Sequence, residues 1–243
     1  MARSTLLTHW TGKDIQLDTA KLTGRQRKKY LARLVGTLQE GFWMTIPEEE
    51  IACSSNSPSG SYIAYQTAMT CFTELRLSVA AEHARKYGAL GLVVDRQWVL
   101  DRWGAPVHYV RSNLDEAIVG NMKATMDWLK RQKSPEATRV YENVLHTVAF
   151  MKGMSRPRKD DFAYLDENEW RIVHTFDQVT KGQLVATGTA LPTHKIPLVP
   201  TDVRMVIFPD DACRDMACRD VSVTRWLAGH HVPFVTALEA AQF

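Results

Sequence analysis

Short apolar segments that end in polar residues recur along this chain, separated by helical stretches of unequal length. Residues 5–11 predict a first strand, and residues 62–72, 92–94, 107–110, 169–174, 203–209 and 232–235 predict the others. Apolar positions at helical spacing predict helices over 18–39, 79–87, 97–103, 114–151 and 212–229. Each element has one apolar face to bury, and short strands interleaved with uneven helices predict an α+β or mixed α/β fold. Local signals sharpen several elements. Tyr30, Leu31, Leu34, Val35 and Leu38 form the apolar face of the first helix, Arg25-Gln26-Arg27-Lys28-Lys29 make its first half cationic, and Gly41 is placed to stop it. Pro135 divides the 114–151 stretch, with Ser134 placed to cap the second part. Residues 169–174 alternate polar and apolar, as in a strand with one wet face. Residues 53–61 and 155–161 read as a polar loop and a charged loop. No linker sets off a second core, so 243 residues predict one domain over 1–243.

Charge and composition narrow the function classes. The 30 basic and 27 acidic residues are too evenly balanced for a dedicated nucleic-acid protein. The cluster at 25–29 is either a solvated face or a patch for a nucleic acid or another anionic partner. The four cysteines, Cys53, Cys71, Cys213 and Cys218, are few for a disulfide scaffold. The chain opens without a basic-apolar signal segment, and no apolar run reaches the roughly 18 residues of a spanning helix. A cytoplasmic protein with reduced thiols and no membrane contact is the expectation. Cys213 and Cys218 form a single close pair where zinc sites usually need two, so no metal is predicted. Neither phosphate-binding glycine pattern occurs, nor a G-x-S-x-G elbow, nor H-E-x-x-H.

Three polar clusters at strand ends are left as the candidate site: His9-Trp10-Thr11, Cys71-Phe72-Thr73-Glu74 and Glu167-Asn168-Glu169. His9 lies among apolar neighbours and is either a hydrogen-bonded core histidine or a functional one. Cys71 reads as a small buried hydrophobe and Thr73 as a strand-end hydroxyl. Glu169 sits beside Trp170 and Arg171, which marks a carboxylate partly buried against a counter-ion. Glu167, two residues earlier, emerges on the same face of a strand. His230-His231 follows Gly229 at a helix C-terminal end, where cations meet the carbonyl dipole.

The order Cys71-Phe72-Thr73-Glu74, then residues 83–94 with their Tyr87-Gly88 pair, then Pro106-Val107-His108-Tyr109-Val110, then Glu167-Asn168-Glu169-Trp170-Arg171 resembles the AbiGi-type abortive-infection family. The resemblance runs from residue 9 to about 175 and stops there. It implies antiphage defence, with a partner toxin if the protein is an antitoxin. The same layout is similar to the ADP-ribosyltransferase superfamily, including its DNA-modifying toxin branch. That resemblance implies a mixed β-sheet core with flanking helices and NAD as cofactor. The acceptor it implies is a macromolecule, protein or nucleic acid, unless NAD is simply hydrolysed. It assigns His9 and Thr11 to the nicotinamide ribose and Thr73 to the nicotinamide pocket. Tyr62, Tyr65 and Tyr87 compete for the stacking aromatic. Glu169 would oppose the positive charge that develops on the sugar, with Glu167 as general base on the acceptor.

Overall fold

Among the described residues, seven strands build the main sheet, in the spatial order Phe234–Thr236, Val203–Phe208, Leu90–Asp95, Leu6–Thr11, Met69–Glu74, Glu169–Val173, Ala105–Pro106. The Val203–Phe208 and Phe234–Thr236 pair is parallel and the other neighbours are antiparallel, so the sheet is mixed. The computed structural model describes residues 5–15, 21–47, 49–52, 62–65, 67–74, 80–110, 116–153, 168–189 and 192–240. The chain is an α+β protein, with helices packed on both faces of this sheet. Leu92, Val93 and Val94 run consecutively with no exposure, because a strand covered on both faces needs no polar alternation.

On one face, Leu7, Phe72, Leu92 and Ile172 pack against Tyr30, Leu34 and Leu38 of the Gly24–Glu40 helix. Those three recur every four residues, one turn apart, which fixes the helix face turned to the sheet. Thr23 caps that helix with a reciprocal bond to Gln26, and Gly41 ends it at φ +97°. Arg25, Lys28 and Lys29 remain exposed, whereas Arg27 pairs with Asp210 at 2.9 Å and so leaves the outward cationic face. On the other face, Trp10, Val93 and Ile207 pack with Ala80 and Ala84 of the Ala80–Tyr87 helix. A third cluster joins Met69 and Val173 to the Glu116–Gln132 and Pro135–Val148 helices. Ser134 caps the latter by accepting from the Ala137 amide at 3.1 Å.

Several expectations change. The single strand expected over 62–72 is two: Tyr62–Tyr65 pairs with Glu49–Ala52, and Met69–Glu74 enters the main sheet. The helix expected over 212–229 is two, Asp211–Arg219 and Val221–Leu227. The break is at Asp220, whose extended backbone and carboxylate cap the second helix through the Ser222 and Val223 amides. The 107–110 segment contributes His108–Val110 to a small parallel pair with Met151–Gly153. Strands Phe42–Trp43, Val185–Ala186 and His194–Ile196 form a further small sheet that periodicity did not announce. The wet face expected for 169–174 is absent: Glu169, Arg171, Ile172 and Val173 are all buried. The expected loops at 53–61 and 155–161 lie outside the described residues. Among those described, no helix is long and apolar enough to cross a membrane.

Candidate functional site

A fork in the main sheet creates the site. The Leu6–Thr11 strand pairs with Leu90–Asp95 at all six positions, from Leu6↔Asp95 to Thr11↔Leu90. Against Met69–Glu74 it pairs at only two, Leu7↔Glu74 and Thr8↔Thr73. Met69–Glu74 stays instead with Glu169–Val173 over five positions. Beyond Thr8 the two strands therefore separate, and Thr45 pairs with Met69 through two backbone bonds at the far end of the gap. The fork opens into a cleft of about 690 Å³.

The His9 ring spans the gap, its Nδ1 donating to the Cys71 carbonyl at 2.9 Å. A carbonyl oxygen only accepts, so Nδ1 carries the proton. Burial lowers the His9 pKa, the Cys71 carbonyl opposes that shift, and the Arg33 charge adds to it. The ring is neutral at pH 7, with Nε2 as an acceptor. It packs edge-on against Phe42 and tilted against Phe72, at centroid distances of 4.9 and 5.8 Å.

Thr8, Thr73 and Glu169 stand in register across three adjacent strands, so their side chains share one sheet face. The Thr73 hydroxyl accepts from Trp10 Nε1 at 3.0 Å. The Thr11 hydroxyl accepts from Arg33 Nη1 at 2.9 Å, while Arg33 Nη2 pairs with Asp14 at 2.8 Å. Glu169 is the most constrained group. Its Oε1 accepts from Arg171 Nε and its Oε2 from Lys152 Nζ, each at 2.7 Å. Arg171 is fully buried and also donates to the Ala149 carbonyl at 2.7 Å. The 169–174 segment tolerates a buried guanidinium because Glu169 and a backbone carbonyl meet it there.

Burial alone would raise the Glu169 pKa, but the Lys152 and Arg171 charges and their hydrogen bonds outweigh it. Together they bring it from an ordinary 4.5 down to about 2. Because the folded value lies below the ordinary one, the stabilisation is complete above about pH 5 and is lost as pH falls towards 2. A shift of this size contributes about 3 kcal/mol. Urea unfolding from pH 6 down to about pH 3 is expected to show this acid-side loss. A flat profile would mean that the carboxylate is not held by these two cations.

His9, Thr11, Thr73, Tyr87 and Glu169 all line the one cleft. Glu167 lies outside the described residues, as do the side chains of Tyr62 and Tyr65. Lining residues not singled out from sequence include Lys13, Asp14, Arg33, Phe42, Trp43 and Lys152. Arg33 carries a sequence signal, since it follows Lys29 by one helical turn; Lys152 carries no local one.

Residues 44–199 match the family model described as "Putative abortive phage resistance protein AbiGi, antitoxin". The match covers the Thr73, Tyr87, Lys152 and Glu169 side of the cleft, and His9, Thr11 and Arg33 precede it. No curated protein and no solved structure matches the chain.

Proposed function

The chain belongs to the AbiGi family, and from that premise we propose that it serves antiphage defence as an antitoxin that acts by binding. The forked cleft is its recognition site. One observation carries this reading over a catalytic one: both oxygens of Glu169 are engaged by Lys152 and Arg171. A carboxylate neutralised by two cations, one of them fully buried, has the surroundings of a structural counter-ion.

A second reading has its own support, since one cleft is lined by His9 and Thr11 from one sheet face and by Thr73, Tyr87 and Glu169 from the other. It makes the chain an ADP-ribosyltransferase-like enzyme that uses NAD to modify a macromolecule. The lining fits a dinucleotide in its chemistry. Lys13 and Arg33 offer cations for a pyrophosphate, Phe42, Trp43 and Tyr87 offer aromatic faces, and the volume suits a ligand of that class. NAD would supply the scissile nicotinamide–ribose bond, and Glu169 would oppose the charge that develops there.

Two measurements decide between the readings. Co-production with the toxin of its own abortive-infection system is expected to relieve toxin-induced growth arrest. Incubation with labelled NAD and cell lysate is expected to leave NAD intact and nothing labelled. Turnover or labelling above background would replace the binding reading with the enzymatic one, and failure to relieve arrest would end the antitoxin assignment.

A further inference from the structure

We infer that the outward cations of the Gly24–Glu40 helix and the mouth of the cleft form one track for single-stranded nucleic acid, with Trp43 as a stacking platform where the track enters. This rests on the reading of the cleft as a recognition site and names the class of polymer that it takes.

The continuity comes from shared walls. A second hollow of about 370 Å³ lies along the helix and is lined by Lys29, Arg33, Gly36 and Thr37, among others. Asp14, Arg33, Thr37 and Trp43 line both this hollow and the cleft. Arg25, Lys29 and Arg33 follow one another at four-residue spacing, so one cation per turn faces the same side of the helix. Lys13 extends the series inside the cleft. Among the described residues, Lys13, Lys29, Arg33 and Lys152 line the two hollows beside two carboxylates, Asp14 and Glu169; Arg33 pairs with Asp14 and Lys152 with Glu169, which leaves Lys13 and Lys29 as the excess cations. A path with this balance attracts a polyanion.

Two features narrow the polyanion to one with flat bases. Trp43 is 44% exposed at the junction of the hollows, on a strand held by pairing Trp43↔Lys195. An exposed indole at the mouth of a cationic groove is an arrangement on which bases stack. Gly36 leaves the helix face bare: a Cβ built there meets nothing within 4 Å. Glycine inside a helix costs about 0.5–1 kcal/mol relative to alanine, and here it opens the groove floor to a bulky ligand. Stacking on an indole needs unpaired base faces, which favours a single strand over a duplex.

The test is fluorescence anisotropy of the full chain with labelled oligothymidylate and oligouridylate of about 12 nucleotides. A matched duplex and a polyglutamate peptide serve as comparison arms. Single strands are expected to bind, with affinity falling steeply as salt rises, by about 0.7 in the logarithmic slope for each phosphate neutralised. Lys29→Ala is expected to reduce that slope by about 0.7. Trp43→Ala is expected to weaken binding about tenfold or more with the slope unchanged. Both positions are surface-exposed, and circular dichroism checks that the variants fold. Absence of single-strand binding would overturn the inference, as would equal binding of duplex. Equal binding of polyglutamate with Trp43→Ala neutral would also overturn it and assign the track to an acidic protein. Relief of toxin-induced arrest is read separately, so the track can fail while the antitoxin reading stands.

Discussion

Glu169→Gln is expected to lower the melting temperature by about 6–20 °C, the equivalent of roughly 3–5 kcal/mol in a chain of this size. The side chain keeps its shape, so packing hardly changes, but its amide keeps one acceptor oxygen and turns an N–H donor towards one of the two cations. What disappears is the charge opposite Arg171, which has no exposure, and opposite Lys152, whose Nζ lies 2.7 Å from the carboxylate. A buried guanidinium with no anion is the costly state, far more than the loss of the pair as such. The double variant Glu169→Gln/Arg171→Met is therefore expected to melt above the single one, since the uncompensated charge leaves with its partner. The acid-side loss of stability should also be missing from Glu169→Gln, because the titrating group is gone. Read beside NAD turnover, the same variant separates the two functional readings. A variant that melts with the parent and loses NAD turnover would make Glu169 catalytic and remove its structural role.

The elements that periodicity and capping could read were those whose signals are local. Ser134 before Pro135, Gly41 after the first helix and the apolar run at 203–208 depend on neighbours in sequence, and each appears where its signal lies. Thr73 and Glu169 meet in register, but Thr11 lies three residues along its strand from Thr8, the partner of Thr73, so polar strand ends account for only part of the cleft lining. The fork itself was not visible. It depends on Leu6–Thr11 holding all its bonds to Leu90–Asp95 while giving up Met69–Glu74 after two pairs, a competition between distant segments. The counter-ion role of Arg171 beside a partly buried Glu169 was legible, and the two pair at 2.7 Å, but the full burial of Arg171 itself was not. Alternation marks a polar side chain as wet, but a charge can be buried when its partners arrive from a segment distant in sequence, as Lys152 and the Ala149 carbonyl do around this pair. Asp220 could have been read, because an aspartate ahead of Val221 and Val223 is an N-cap signal inside an apparently continuous helix.

Gly88→Ala and Gly36→Ala apply the same chemical change with opposite expected signs. Gly88 closes the Ala80–Tyr87 helix, its amide bonding the Ala84 carbonyl at 3.0 Å, and its φ of +112° is one that an alanine rarely adopts. A Cβ there would stand 2.3 Å from the Lys13 nitrogen and 2.4 Å from the Thr11 oxygen. Those are backbone atoms of the cleft rim and cannot rotate aside as a side chain can. The dihedral costs about 1–3 kcal/mol and the overpacking about 1–3 more. A fall in melting temperature of about 4–24 °C is expected. If the chain relieves the clash by moving, the segment that moves carries Thr11, which holds Arg33, and Lys13, so ligand binding in the cleft should weaken as well. Gly36 sits within a helix with open space where its Cβ would be, and alanine there is expected to raise stability by about 0.5–1 kcal/mol. Thermal melting of the two variants against the parent reads both signs at once. A Gly88→Ala protein that melts with the parent would show that the Tyr87-Gly88 turn does not press on the Thr11–Lys13 rim, and the cleft would lose the wall that sets its width.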